Sequence, residues 1–142
     1  MRKLEFVIHT KATTKNVWQL MSNVDNYYKY IKYCHKSKLV GNFQEGSSWY
    51  DWSTVMFLPL KINHKIVNIV PNKKIVYLIS SQFGEIRQTI LIIKEGKATQ
   101  LTLKVNIDFP NRLIDKTFGA FVSLRNKKML EATIQNYKKA FQ

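Results

Sequence analysis

The 142-residue sequence has one cysteine, Cys34, so no internal disulfide can form and a cysteine-based zinc site lacks ligands. That economy fits a reducing cytoplasm. No run of about 18 apolar residues occurs, which argues against a transmembrane helix. The basic start, Met1-Arg2-Lys3-Leu4-Glu5, leads into alternation and then His9-Thr10-Lys11 instead of an apolar stretch, so no secretory signal is expected. With five glycines and three prolines, the chain has no linkers, low-complexity tracts or repeats. Glycine-rich phosphate loops and nucleophile elbows are also absent, and no cofactor is expected. Acidic residues are few, with nine Asp and Glu against 23 Lys and Arg, for a net charge of +14.

Such a charge attracts polyanions, among them RNA, the ribosome and an anionic membrane surface. Only four of the basic residues are arginine (Arg2, Arg87, Arg112 and Arg125), whereas phosphate readers lean on arginine. The chain is rich in Lys, Asn and Ile, so compositional bias and a solvated lysine surface account for the charge without a polyanionic partner.

What is present is enough apolar material for one core: 45% hydrophobic residues, with three Trp, seven Tyr and eight Phe. The length suits one domain over residues 1–142. Leu4, Phe6 and Ile8 alternate with Glu5, Val7 and His9, which predicts a first strand over about residues 3–10. Thr13 or Thr14 then caps a short helix carrying Val17, Trp18, Leu20 and Met21. A second short helix follows Asp25, with Tyr27, Tyr30 and Ile31 on one face. From about residue 35 the period becomes two. Strands are predicted near 36–43, 47–57, 60–70, 74–81, 85–94 and 99–109, divided by turns at Gly41 to Gly46, Pro59, Pro71-Asn72, Gly84 and Glu95-Gly96. The short intervals leave no room for crossover helices, so the sheet is antiparallel. In the last strand, Leu101, Leu103, Val105, Ile107 and Phe109 face one way. After Pro110-Asn111 a helix of about 30 residues carries Ile114, Phe118, Val122, Leu130, Ile134, Tyr137 and Phe141 on its apolar row, with Gly119 marking a bend or close contact.

This order resembles the SRPBCC superfamily, the helix-grip fold of START lipid-transfer domains, the birch pollen allergen and bacterial polyketide cyclases. Three stretches carry the likeness. Thr14-x-x-Val17-Trp18-x-Leu20 is similar to the family's first helix. Val24-Asp25-x-x-Tyr28 with Tyr30-Ile31-x-x-Cys34 is similar to its second segment, Tyr27 matching the family tyrosine. Asp108-Phe109-x-Asn111-x-Leu113-Ile114 to Phe118-Gly119 is similar to its junction of last strand and long helix. Tyr28 and Lys32 stand where the family has prolines, and Gly84-Glu85-Ile86 where it has Gly-x-Trp. Within the superfamily the chain looks most like the coenzyme Q-binding, polyketide cyclase and ribosome-association-toxin branch. The resemblance implies an α+β fold of about seven strands curved around the C-terminal helix, with an apolar pocket between them.

Candidate site residues follow from strand parity set on that geometry. With the even face of the third strand inward, Tyr50 and Trp52 line the pocket together with His64, Phe118 and Val122; Trp49 and Asp51 share the opposite face. His64 lies on one strand face with Ile62 and Ile66, where an inward imidazole acts as base or ligand anchor and an outward one is a rim residue. No second ligand at metal spacing accompanies His9, His35 or His64, so no metal site is expected. Cys34 and His35 are neighbours whose side chains diverge, which makes Cys34 a structural thiol. Glu85 and Arg87 form a surface pair. Tyr27, Tyr28, Tyr30 and Tyr33, interleaved with Lys29, Lys32 and Lys36, form a pocket lid or an RNA-stacking surface.

Three functions fit. The first is non-catalytic binding or transport of a hydrophobic small molecule, a lipid, quinone or polyketide. The second is a polyketide cyclase or aromatase, for which no interior acid–base pair is visible. The third is a ribosome- or RNA-interacting protein. The oligomeric state is open.

Overall fold

The computed structural model describes residues 1–55 and 57–141. The predicted alternation at the start becomes β1 (Arg2–Thr10), and the Thr13 hydroxyl accepts the Asn16 N–H to cap α1 (Thr14–Ser22). The second short helix is a 3-10 helix (Val24–Lys29) instead of an α-helix. Only six residues long, it still buries Val24 and Tyr27. Six strands follow: β2 (Cys34–Val40), β3 (Ser48–Val55), β4 (Leu58–Val70), β5 (Lys74–Ser81), β6 (Gly84–Glu95) and β7 (Ala98–Asp108). Met56, within the strand predicted over 47–57, lies outside the described residues.

All neighbouring strands are antiparallel, in the order β1-β7-β6-β5-β4-β3-β2. Strands adjacent in sequence pair by short hairpins, and β1 closes on β7. The two strands joined by α1 and the 3-10 helix are therefore the two edges of the sheet. One turn differs from expectation. Pro59 is not in it: Leu58 pairs with Val55 and Pro59 with Thr54, and Phe57 takes the turn with a left-handed φ of 67°. A proline in the second position of a strand loses no essential donor.

Asn111 opens the C-terminal helix by accepting the N–H groups of Leu113 and Ile114. The helix starts as an α turn, α2 (Arg112–Ile114), widens to π geometry over Asp115–Gly119, and continues as α3 (Ala120–Ala140). A close contact explains Gly119. A Cβ there would stand 2.7 Å from Asp115 Oδ1 and 3.1 Å from the Phe109 ring. Asp115 is in turn held by Arg2, whose Nε donates at 3.2 Å. Among the described residues no helix is long and apolar enough to cross a membrane.

The core joins sheet to helix. Leu101, Leu103, Val105, Ile107 and Phe109 are all buried, in one cluster with Ile8, Ile66, Ile90, Leu130, Ile134 and Tyr137. This is the helix grip expected from the alternation in β7 and the apolar row after Pro110. Truncation of Val105 to Ala should lower the unfolding free energy in chemical denaturation by about 1–3 kcal/mol, since the buried side chain leaves a gap that its neighbours fill only in part.

Candidate functional site

Side chains on β3 alternate between the two faces of the sheet, and both faces carry aromatics. The inner set is Trp49, Asp51 and Ser53, all buried. Tyr50 and Trp52, expected in the pocket, stand half-exposed on the outer face. Lysines cover them there, with Lys36 Nζ 4.9 Å from the Trp52 ring centroid and Lys61 Nζ 4.2 Å from that of Tyr50. These cation–π contacts and the apolar lysine stems make an outward Tyr and Trp tolerable. Trp49, by contrast, is 2% exposed. It stacks on His64 with 3.7 Å between centroids and meets Tyr27 and Tyr77 edge-on at 5.1 and 5.3 Å. No acceptor among the described residues reaches its buried Nε1.

Between the inner face and the C-terminal helix lies a cavity of about 320 Å³. Ile62, Ile86 and Val105 wall it from the sheet, and Phe118, Val122 and Met129 from the helix. Of the expected pocket residues, the structure thus places His64, Phe118 and Val122 on the wall and leaves Tyr50 and Trp52 off it.

One part of the wall is polar. His64 Nε2 lies 2.6 Å from Asp51 Oδ2, and Ser53 Oγ donates to Asp51 Oδ1 at 2.5 Å. On the other side of the ring, His64 Nδ1 is 3.1 Å from Gln88 Oε1. The register of β3 on β4 creates the cluster, placing Trp49 opposite His64 and Asp51 opposite Ile62. An interior acid–base pair therefore exists, contrary to the expectation from the sequence. Arg125, also on the wall, donates to the Thr54 carbonyl at 2.9 Å and lies over the Tyr33 ring.

Burial sets the state of the hydroxyls and the thiol around this region. Tyr27 hydrogen-bonds the Met21 carbonyl, which only accepts, so Tyr77 donates to Tyr27 across 2.7 Å. Burial holds the pKa of Tyr27, Tyr77 and Tyr137 above the ordinary phenol value. Cys34 is pushed up to about 11, first by burial and then by the charge of Asp51. The thiol donates to the Lys36 carbonyl at 3.4 Å, while His35 points away and pairs with Thr54. Cys34 is thus held as an unreactive thiol. Glu85 and Arg87 approach to 4.0 Å on the surface.

All 142 residues match the family described as polyketide cyclase / dehydrase and lipid transport. The chain belongs to this family. No curated protein matches it. Solved structures share its fold at low identity. A START superfamily protein from Mycobacterium smegmatis aligns with a TM-score of 0.75 and 12% identity, covering 98% of this chain and 96% of that one. The major latex-like protein 151 of Panax ginseng gives 0.74 and 11%, over 99% and 97%. The di-domain ARO/CYC protein BexL of the BE-7585A biosynthetic pathway gives 0.75 and 16%, over 97% of this chain and 47% of that one.

The raised pKa values carry a sign. Each buried phenol, and Cys34, binds its proton more tightly folded than unfolded, so the unfolded chain loses protons first as pH rises. The stability they contribute is whole below the ordinary values of 9.0 for the thiol and 10.0 for the phenols and falls above them. Melting temperature should accordingly hold steady from about pH 7 to 9 and then drop, and thiol-specific reagents should label Cys34 slowly until the protein unfolds.

Proposed function

We propose that this chain binds, and carries or presents, a hydrophobic small molecule in the cavity between its sheet and its C-terminal helix. The observation that carries the reading is the cavity itself. Side chains leave about 320 Å³ unfilled between sheet and helix, and an apolar guest seated there removes its own surface and that of the walls from water, at roughly 25 cal/mol per Å². The volume falls at the lower end of the roughly 300–1,000 Å³ typical of small-molecule sites, and the walls are mostly apolar with a few convergent polar groups. Membership of a family described by lipid transport and by polyketide cyclisation supports a lipid or a polyketide of matching size as the guest.

A second reading, cyclisation of a polyketide, is supported by the Asp51–His64 pair on the wall and by the ARO/CYC neighbour. Acid–base groups positioned over a bound chain are what such chemistry needs. The coenzyme Q and ribosome-association branches have sequence likeness alone behind them.

Native mass spectrometry of gently purified protein should show a retained guest. Filling the cavity should abolish binding while the outer face stays neutral. Val122→Trp is expected to weaken a fluorescent apolar probe by tenfold or more, whereas Tyr50→Ala and Trp52→Ala leave its affinity within about twofold. Affinity should hardly change between about 50 and 200 mM salt, because burial of apolar surface is not screened; a partner bound through about six phosphates would lose roughly a thousandfold. Unchanged affinity in Val122→Trp would defeat the reading.

A further inference from the structure

The polar patch on the cavity wall has a hydrogen-bonding inventory that restricts the guest. Both nitrogens of His64 are occupied, Nε2 by Asp51 and Nδ1 by Gln88, and one face of its ring is covered by Trp49. His64 therefore has no free hydrogen-bonding site for a ligand. Ser53 has spent its one proton on Asp51. What remains free on these two residues is acceptor capacity: the spare lone pairs of the Asp51 carboxylate and those of Ser53 Oγ. The Gln88 amide meets His64 Nδ1 with one end and keeps its other end for a guest. All four residues line the same cavity.

We infer that this patch recognises its guest by a neutral hydroxyl group, an alcohol or a phenol, and discriminates against an ionised carboxylate. The inference rests on the reading that the cavity holds a hydrophobic molecule and specifies that molecule's polar end. A hydroxyl donates its proton to Asp51 or Ser53 and keeps its lone pairs for any donor nearby, so it answers the free acceptors of the patch. A carboxylate can only accept, and it would bring a second negative charge beside Asp51 in a water-poor site. An ether or ketone lacks the proton and leaves Asp51 and Ser53 unanswered. A protonated amine donates, but it carries a full charge between apolar walls.

The experiment uses three probes with one apolar body, 4-hexylphenol, 4-hexylanisole and 4-hexylbenzoate, titrated calorimetrically into the full chain at neutral pH. At that pH the phenol is neutral and the benzoate ionised. The phenol should bind tightest, by roughly tenfold or more over the anisole, because a hydrogen bond to a charged acceptor is at stake. The benzoate should be weaker again. In Asp51→Asn, a carboxamide of the same size, the benzoate should gain on the phenol by roughly tenfold. Arg125 acts on the benzoate in both proteins alike, so the change in ratio isolates Asp51. An anisole that binds wild type as tightly as the phenol overturns the inference, and this comparison needs no variant to fold. A benzoate-to-phenol ratio unmoved by Asp51→Asn overturns it also. Equal binding of all three probes removes the hydroxyl preference and leaves the hydrophobic guest standing; no binding of any probe removes both.

Discussion

Nine residue pairs between β1 and β7, from Arg2 opposite Ile107 to Thr10 opposite Thr99, hold the beginning of the chain against the strand that feeds its last helix. Everything else hangs on this ladder. The other five strand pairings are hairpins between sequence neighbours, and their closure is inexpensive; this one joins residues about a hundred positions apart, so its loop-closure entropy is the largest single topological cost in the sheet. Once it forms, β1 and β2 are fixed as opposite edges. The short stretch between them, α1 and the 3-10 helix, then has to span the sheet from one edge to the other. It delivers Val17, Met21, Val24 and Tyr27 into the core as it crosses. The same ladder sets Arg2 beside Asp115, which ties the first strand to the opening of the final helix.

The C-terminal helix is seated unevenly, and the cavity is the consequence. Leu130, Ile134 and Tyr137 are at most 8% exposed, whereas Phe118 on the same apolar row is 48% exposed. The second half of the helix lies down on the sheet while the first half stands away from it. Two features keep it there. The Asp115–Gly119 segment is widened to π geometry, and Phe109 with Asp115 occupies the space beneath Gly119. π-widened turns recur at functional sites because they change the facing of the side chains that follow. Here the side chains that follow include Phe121 and Val122, which border the cavity.

The fold could be read in the sequence because its decisive segments are one-sided. β7 carries an uninterrupted apolar row, and the final helix carries a matching stripe, so period alone identifies both. β3 is different. Ser48-Trp49-Tyr50-Asp51-Trp52-Ser53 puts aromatic and polar residues on each face, and alternation cannot say which face is inside. Pairing with β4 decides it, because His64 stands opposite an odd-numbered residue of β3 and so shares the face of Trp49, Asp51 and Ser53. A turn at Pro59 between strands ending at 57 and starting at 60 would set His64 opposite Ser53; the actual turn at Phe57 sets it opposite Trp49. The two registers differ by an even number of residues, so either one keeps His64 on the face of Trp49, Asp51 and Ser53 with Asp51 diagonal to it; the Asp51–His64 pair escaped notice because their meeting is a property of two paired strands and neither strand shows it alone. Pairing the two strands from either turn, which puts Asp51 and His64 diagonal to each other on one face, would have been the signal for it.

The reversed parity of β3 also changes what the basic charge is for. An exposed tryptophan and tyrosine side by side on a sheet would be an adhesive patch. Lys36 and Lys61 reach across from the neighbouring strands and lay their stems and ammonium groups over both rings. Part of the lysine excess is therefore a cover for aromatics displaced to the outside, and its role there is structural. Inside, the same strand holds Asp51 and Ser53, two polar groups whose burial a purely stabilising design would avoid, because apolar residues of similar volume serve a core at least as well as a buried ion pair. One face of β3 thus spends lysines to stay soluble, while the other keeps a polar cluster in a cavity that apolar side chains could have filled. The second arrangement suits the proposed guest, whose polar end would meet that cluster while its apolar body lies against the remaining walls.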